Sequence, residues 1–265
     1  MTPNNTDTAL LVPAYNCADA LRDTVSALPR ELPLFILIID DGSSPSIDKV
    51  ECDPVHRIEV IHNSSNLGIE RSLRSGMTTL SARGFTYVAR LDAGDFALPG
   101  RFQKQRAFLE NNSKVSLVGS ACEIVDDQGR QLYIWRPPLH NDEIKRSMLL
   151  RSCFAHPAVM MRVEAAVQAG SYRGDYPCAE DLDLFLRIAA RDEVANLPDV
   201  LTRYEVSPHS LSSQRRHRQL KSLLRLQMTH GRWHAPQDWL GVAKTMAHFT
   251  LSRAFVERIK SRLWL

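Results

Sequence analysis

The chain has 265 residues, of which 44% are hydrophobic and 24% are charged, and its formal net charge is +3. This length fits one large domain or two small ones, and the composition is typical of soluble globular proteins. No apolar run approaches the roughly 20 residues of a membrane-spanning helix, and residues 1–15 lack the pattern of a secretory signal. Five widely spaced cysteines match no C-x-x-C pattern, which predicts reduced thiols and a cytoplasmic location.

The first part of the chain alternates strands with helices. Short β-branched runs predict four strands, at 8–15, 34–40, 58–63 and 86–92. Helical patterns follow the first and third strands, at Ala18–Leu28 and Leu67–Arg83. Nearly continuous apolar runs are typical of buried parallel strands. The sequence therefore predicts an α/β fold with a Rossmann-like open sheet flanked by helices, which binds ligands where the strand order reverses.

The rest of the chain predicts a mixed set of elements on the same sheet, followed by helices. A helix follows Pro99. Two strands are predicted at 115–125 and 131–135, and two helices at 141–151 and 179–191. The pattern from 211 to 265 is helical apart from HGRWHAPQ. We therefore predict a body at 1–210 and a helical C-terminal extension at 211–265.

Five polar clusters lie at or just beyond predicted elements: PAYN (13–16), DDGSS (40–44), NSSNLG (63–68), RLDAGD (90–95) and AEDLD (179–183). The carboxyl ends of parallel strands open on one face of a sheet, so the first four clusters should converge in a polar pocket. The sequence has neither G-x-G-x-x-G nor G-x-x-x-x-G-K-[ST], which weakens dinucleotide and P-loop interpretations. Carboxylates in such a pocket bind base or ribose groups, or hold Mg²⁺ or Mn²⁺ together with substrate phosphates.

An ordered set of motifs carries a resemblance to a known family: VPAYN, IIDDGSS, NLGIERSLRSG, ARLDAGDFALPGRFQKQ, HPAVMMR and AEDLDLFLRIA. Together they resemble the family 2 glycosyltransferases with the GT-A fold, in the bacterial branch that builds surface polysaccharides. The resemblance runs from about Leu10 to Tyr204. It implies a nucleotide-binding half at about 8–98 merged with an acceptor-binding half at about 99–210.

The activity that this resemblance implies is inverting sugar transfer. The donor is a UDP- or dTDP-sugar, and the acceptor is a hydroxyl of a glycan or lipid-linked acceptor in O-antigen, capsule or lipopolysaccharide synthesis. The residues implied to bind the nucleotide sugar are Pro13, Ala14, Tyr15, Asn16, Asp40, Asp41, Asn66, Gly68, Arg90, Asp92 and Ala93. Of the pair at 40–41, Asp40 is expected to accept a hydrogen bond from the base N–H.

The late acidic motif supplies the expected catalytic residue. An inverting displacement needs a carboxylate to deprotonate the acceptor hydroxyl, and the resemblance assigns this role to Asp181. Glu180 and His156 are expected near the acceptor or the donor sugar. Acids in the first turn of a helix also complement its macrodipole, so a structural role for AEDLD stays open.

The metal prediction is less direct because Gly94 occupies the place of an acid common in the family. The resemblance implies Mg²⁺ or Mn²⁺ as cofactor, with Asp92 and Asp95 as candidate ligands. The alternative for Asp95 is a turn or N-cap residue. The late sequence YEVSPHS also departs from the family pattern, and we expect His209 to be a loop residue rather than a ligand.

The C-terminal extension is strongly basic. From Gln214 onward, 11 Lys and Arg face two acids, whereas the preceding part carries a net charge of −6. An apolar stripe is formed by Trp239, Val242, Met246, Phe249, Val256, Ile259 and Leu263. This pattern predicts a helix on an anionic membrane surface, hence a cytoplasmic protein peripheral to the inner face of the cytoplasmic membrane. The alternative is a helix that packs on the core. RRHRQLKSLLR has little aromatic interleaving, so we expect no nucleic-acid partner.

Two other functions remain as hypotheses at this point. A nucleotide-sugar-binding protein that has lost catalysis would explain Gly94 and YEVSPHS. A sugar nucleotidyltransferase ranks lower, because VPAYNCADALR supplies only Arg22 where such enzymes need a basic, glycine-rich loop for a triphosphate.

Overall fold

The computed structural model describes residues 6–206 and 215–250. Residues 207–214, which include His209, lie outside the described residues. So do residues 251–265, with Val256, Ile259 and Leu263 of the predicted apolar stripe. Among the helices in the described ranges, none combines the length and apolar character needed to cross a bilayer.

Nine strands form one mixed sheet within residues 6–206. They are β1 (Thr8–Ala14), β2 (Phe35–Asp40), β3 (Arg57–His62), β4 (Tyr87–Arg90), β5 (Phe96–Ala97), β6 (Val115–Val125), β7 (Gln131–Trp135), β8 (Met160–Arg162) and β9 (Glu193–Glu205). Their order is β3-β2-β1-β4-β8-β6-β9-β5, and β7 pairs with β6. The first four strands in this order are parallel, whereas β8 runs antiparallel to both β4 and β6.

Helices cover both faces of the sheet. They are α1 (Ala18–Ser26), α2 (Ile69–Ala82), α3 (Arg101–Asn111), α4 (Asn141–Ser147), α5 (Val163–Gln168), α6 (Glu180–Ala189), α7 (Arg216–His230) and α8 (Pro236–Thr250). Side chains alternate along each strand, so Ala9 and Leu11 enter the core shared with α2, α5 and α6. Leu10 and Val12 enter the opposite core, shared with α1 and α3. Burial on both faces explains why β1 and β2 read as continuous apolar runs.

The strand order reverses between β1 and β4. From β1 the chain winds through β2 to β3 on one side, and β4 then pairs with β1 on the other side. Loops at the carboxyl ends of β1 and β4 therefore flank the crevice where sheets of this type bind ligands. The α/β sheet and its four N-terminal strands confirm the prediction.

Three strands and one helix between 96 and 205 were not predicted. β5 has two residues and β8 has three, which is too short for a periodic signal. The 13-residue β9 contains Pro198, and its pairing with β6 shifts register near Ala121, so no regular alternation marks it. α5 has only six residues.

The C-terminal helices bury polar residues as well as the apolar Leu220 and Leu226. Gln227 Nε2 on α7 donates to the Leu149 carbonyl at 2.8 Å. On α8, Asp238 and Thr245 are buried, whereas Trp239 and Met246 of the predicted apolar stripe are 56% and 53% exposed. Buried Asp238 accepts a hydrogen bond from the Arg232 backbone N–H at 2.7 Å. Two residues of the stripe, Trp239 and Met246, are therefore exposed, whereas Val242 and Phe249 are half-buried and the Phe249 ring contacts His217 of α7.

Candidate functional site

The loops after β1 and β2 are joined by hydrogen bonds between their tips. The Asn16 backbone N–H donates to Ser43 Oγ at 2.9 Å, and the Ser44 N–H donates to Asn16 Oδ1 at 2.9 Å. Gly42 has a φ of +76°, and a Cβ there would lie 2.5 Å from the Ser65 carbonyl carbon. Only glycine permits this approach of the loop after β3. Three of the predicted loops therefore meet.

Asp41 organises the loop after β3. Its Oδ1 accepts from Asn63 Nδ2 at 2.7 Å and from the Leu67 N–H at 2.9 Å, and its Oδ2 accepts from the Gly68 N–H at 2.9 Å. The side chain is 4% exposed. A carboxylate has about four acceptor sites, so the protein fills most of the capacity of Asp41.

Asp40 is similarly occupied. It accepts from the N–H groups of Ser43 and Ile47 at 3.0 and 3.2 Å, and from His62 Nδ1 at 3.0 Å. Burial alone would raise the pKa of Asp40, but the hydrogen bonds from Ser43, His62 and Ile47 outweigh it and lower the pKa. Sequence reasoning missed His62, although the parallel register places it directly opposite Asp40.

The fourth loop begins with a buried ion pair. Arg90 is 2% exposed, and its guanidinium donates to the Leu91 carbonyl and to Asp92 Oδ1. Arg90 binds one carboxylate oxygen of Asp92. The Asp92 side chain is still 36% exposed, so it is accessible from the crevice. Burial opposes ionisation, but the charge of Arg90 lowers the pKa of Asp92. Asp92 is therefore an oriented, ionised carboxylate at the switch point.

Gly94 and Asp95 differ from Asp92 in their surroundings. Gly94 has a φ of +98°, a conformation that side chains rarely adopt, which gives a physical reason for glycine in place of an acid. Asp95 is 3% exposed, and its Oδ1 accepts from the Glu205 N–H at 2.9 Å, at the end of β9. Burial and the charge of Asp92 raise its pKa well above the ordinary range. In this structure Asp95 joins two strands, and its role as a metal ligand stays a prediction.

The antiparallel pairing of β4 with β8 brings a second group of residues to the crevice. A 3₁₀ turn at His156–Ala158 precedes β8, and the Arg90 N–H donates to the Val159 carbonyl at 2.9 Å. His156 Nε2 forms a hydrogen bond with the Tyr172 hydroxyl at 2.9 Å. Burial and the positive charge of Arg90 lower the pKa of His156 to about 3, so the imidazole is neutral at physiological pH. Tyr172 gave no signal in the sequence.

The late acidic pair lies at the start of α6 and faces the same crevice. Burial raises the pKa of Asp181, and the negative charge of Asp92 raises it further. A hydrogen bond from the Leu182 N–H, at 2.7 Å, opposes this rise. Glu180 is 7% exposed, and burial together with the charge of Asp181 raises its pKa to about 8. Its Oε2 has no hydrogen-bond partner within the described ranges. Raised carboxylate pKa values are characteristic of groups that exchange protons in active sites.

The remaining acid of AEDLD has a structural role. Asp183 is 2% exposed and pairs with Arg187 Nη2 at 2.6 Å. Arg187 also donates to the Ser171 carbonyl at 2.7 Å. One turn of α6 thus separates an internal ion pair from Glu180 and Asp181.

The structure brings most of the predicted residues to one crevice. Tyr15 and Asn16 are exposed at its rim. The pKa of the neighbouring Cys17 thiol is raised, mainly by burial, and the charges of Asp92 and Asp40 add to this increase. Asn66 is exposed on the third loop. The predicted residues set apart from the opening are buried carboxylates that accept hydrogen bonds from the protein: Asp40 and Asp41 through both oxygens, and Asp95 through Oδ1 alone. Asp95 Oδ2 has no partner within the described ranges.

No cluster of three or more His, Cys, Asp or Glu suited to a metal ion occurs in the part of the chain that the structure describes. The exposed oxygen of Asp92 is nevertheless compatible with a cation that a diphosphate brings with it, since Mg²⁺ is commonly held by one or two carboxylates plus substrate phosphates.

Fold and site together define an α/β enzyme with a group of acidic residues at the switch point of its sheet. Residues 9–169 match the family model described as Glycosyl transferase family 2. The chain therefore belongs to this family and is a glycosyltransferase, as its sequence predicts. This result leaves the nucleotidyltransferase hypothesis without support.

Two of the named relatives are glycosyltransferases of bacterial amylovoran and O-antigen biosynthesis. The amylovoran biosynthesis glycosyltransferase AmsE of Erwinia amylovora is 32% identical over 194 residues, which cover 72% of this chain and 71% of AmsE. The O-antigen biosynthesis glycosyltransferase WbnJ of Escherichia coli is 29% identical over 134 residues, covering 49% of this chain and 51% of WbnJ.

Solved structures confirm the predicted GT-A fold. The mannosyltransferase PcManGT of Pyrobaculum calidifontis, in complex with GDP-Man and Mn²⁺, has a TM-score of 0.61 at 16% identity, covering 98% of this chain and 81% of that one. Residues 1–349 of S. aureus TarS, in complex with UDP-GlcNAc, give a TM-score of 0.59 at 15% identity, with coverage of 93% and 74%. At these identities the similarity shows the fold alone.

Proposed function

We propose that the chain transfers a sugar, with inversion, from a UDP- or dTDP-sugar to a hydroxyl of a glycan or lipid-linked acceptor in surface-polysaccharide synthesis. The observation that carries this proposal is the pairing of two different carboxylates across one crevice: Asp92 with a lowered pKa and Asp181 with a raised pKa. The biosynthetic roles of AmsE and WbnJ and the UDP-GlcNAc bound to TarS support the substrate classes.

Asp181 acts as the general base in this mechanism. As the acceptor oxygen attacks the anomeric carbon, its proton passes to the Asp181 carboxylate, the glycosidic bond forms, and the nucleoside diphosphate leaves with the electron pair of the broken bond. The raised pKa of Asp181 suits this role, because a stronger base accepts a proton more readily. Glu180 is protonated near neutral pH and donates a hydrogen bond to a sugar hydroxyl through its buried carboxyl.

The donor nucleotide lies on the loops after β1 to β4. Exposed Tyr15 offers a ring face to the base, and Asn16, Asn66 and Gly68 lie around the ribose and diphosphate. Asp92 would hold Mg²⁺ or Mn²⁺ through the carboxylate oxygen that Arg90 does not bind. When bound, the cation would neutralise charge on the diphosphate; this chain's contribution is to fix Asp92 through Arg90.

Exposed apolar side chains on α7, on α8 and between them support association of the enzyme with an anionic membrane surface on the cytoplasmic side. Met228, Trp233, Trp239, Leu240 and Met246 are between 40% and 60% exposed, and basic residues surround them. Sedimentation with phosphatidylglycerol vesicles tests this placement: Trp239→Ala combined with Met246→Ala should reduce binding, and binding unchanged by these substitutions would refute it.

Titration calorimetry with UDP, in the presence and absence of Mn²⁺, tests the donor class. We expect binding that Mn²⁺ strengthens; no binding in either condition would refute the proposal. A donor-hydrolysis assay separates the enzyme from a catalytically inactive sugar-nucleotide binder, because the latter binds the UDP-sugar without slowly releasing free sugar.

A further inference from the structure

The start of α7 carries a basic face that the mechanism does not use. Arg215 and Arg218 are exposed. Together with Ser222, Arg225 and Thr229 they recur at intervals of three or four residues, so the five lie on one side of the helix. Within residues 6–206 and 215–250, neither Arg215 nor Arg218 forms an ion pair.

The second part of this face is fixed on the loop before α6. Ser222 Oγ donates to the Pro177 carbonyl at 2.8 Å, and Arg225 Nη1 donates to the Asp175 carbonyl at 3.1 Å. The Arg225 guanidinium also lies over the Tyr176 ring, 5.2 Å from its centroid. The loop that leads into Glu180 and Asp181 is thus held by α7.

The first part of the face continues toward the catalytic acids. Arg218 precedes Ser222 by one helical turn, a rise of about 6 Å. The loop to which Ser222 is bonded continues from Pro177 through Cys178 to Glu180. Burial and Glu180 raise the pKa of the Cys178 thiol, and the positive charges of Arg215 and Arg218 oppose that rise. The charges of both guanidiniums therefore act on Cys178, two residues before Glu180.

We propose that Arg215 and Arg218 bind the diphosphate of a lipid-linked acceptor and hold it beside the catalytic acids. This inference rests on the proposed function. Guanidinium groups bind phosphate oxygens in a bidentate manner. A diphosphate also occurs in the donor, but Asp92 marks the donor position at the switch point, whereas the helix that carries Arg218 is bonded to the loop that leads into Glu180 and Asp181.

The shape of the C-terminal helices favours the acceptor over the donor as the source of this diphosphate. α7 extends for about 22 Å from Arg216 to His230. Beyond its basic beginning, Met228 and Trp233 are 58% and 40% exposed. A cationic beginning followed by an exposed apolar end matches a ligand with a charged head and a hydrocarbon tail.

The experiment uses the full chain with farnesyl diphosphate as the probe. Calorimetry first measures the Kd for UDP with Mn²⁺, and farnesyl diphosphate is then titrated into the UDP-saturated protein. We expect Arg215→Gln combined with Arg218→Gln to raise the Kd for farnesyl diphosphate at least roughly tenfold, since hydrogen bonds to charged groups are lost. The Kd for UDP should stay unchanged. The matched control, Arg57→Gln combined with Lys114→Gln, removes the same charge from exposed residues at the start of β3 and just before β6, and should leave both Kd values unchanged.

Three outcomes would overturn the inference. Farnesyl diphosphate could bind both double variants equally, it could displace UDP instead of binding beside it, or the arginine variant could weaken UDP binding instead. The last two would assign the diphosphate to the donor. Failure of the wild type to bind UDP would instead refute the proposed function, and the first titration reveals it separately.

Arg218→Lys, which keeps the charge, should give an intermediate Kd for farnesyl diphosphate, and circular dichroism verifies that each variant is folded.

Discussion

The loops after β1 to β3 and the cluster at the start of α6 differ in how their buried polar groups are satisfied. In the loops, Asp40 and Asp41 each accept at least three hydrogen bonds from the protein. In the cluster, Glu180 Oε2 has no partner within the described ranges. The loops are thus a platform that is complete before the donor binds, whereas the cluster keeps an unpaired carboxyl oxygen on Glu180, whose pKa is raised, as expected where protons are transferred.

Removing the proposed base tests the active side of this comparison and has the largest expected effect. Asp181→Asn keeps the shape of the side chain but cannot accept the proton, so the transfer rate should fall by about 10²–10⁴. The Kd for UDP should not change, because the platform is untouched. UDP release in the presence of acceptor, measured beside calorimetry, distinguishes the two effects. Turnover near the wild-type rate would refute the base assignment.

Asp183→Asn is the control for that variant. Asp183 lies two residues further along α6, and its carboxylate pairs with Arg187 instead of facing the crevice. Its replacement should lower thermal stability while the folded protein keeps its transfer rate. Loss of transfer in both variants would mean that α6 as a whole had been disturbed.

Removing Asp41 tests the platform. Asp41→Ala deprives the Leu67 and Gly68 amides and the Asn63 side chain of their acceptor. Buried donors left unpaired cost about 1–3 kcal/mol each, so the free energy of unfolding should fall by roughly 3 kcal/mol in urea denaturation. Asn66→Ala, on the exposed part of the same loop, should change it little. An unchanged urea midpoint for Asp41→Ala would contradict the assigned role.

The pH dependence of stability tests the unpaired carboxyl of Glu180. Its pKa in the folded protein is about 8, against an ordinary value of 4.5, so in this window the folded state holds a proton that the unfolded state has lost. The wild type should therefore lose stability relative to Glu180→Gln as the pH rises, by up to roughly 1.4 kcal/mol per pH unit. Urea denaturation across this range measures the difference. Parallel pH profiles would contradict the raised pKa, and exposed Glu164→Gln serves as the control.

The parts predictable from sequence are those with a local signal. The four N-terminal strands are buried on both faces, and their ends carry the polar residues that form the loops. The positions of Asp92 and Asp181 followed from motifs, because each lies immediately after or at the start of a predicted element. Which carboxylates accept hydrogen bonds from the protein was not predictable, since Asp40, Asp41 and Asp95 each have a partner that is distant in sequence. These partners are His62, Leu67 and Glu205.

Other features depend on pairings that no local pattern encodes. The neutral state of His156 follows from its burial beside Arg90, which depends on the short antiparallel strand β8. The apolar residues at 239 and 246 fit a helical stripe in the sequence, yet α8 packs through Asp238 and Thr245, because Arg232 provides the buried carboxylate with a partner.

Strand β9 affects how this enzyme can be divided or recombined with its relatives. The family match ends at 169, whereas the sheet continues through 13 further residues that pair with both β6 and β5. Asp95, in the donor half, holds the last of these residues through the Glu205 amide. A chimera joined at 169 would therefore pair a β9 from one protein with the β5 and β6 of another. A junction placed after Glu205 keeps the complete sheet from one protein.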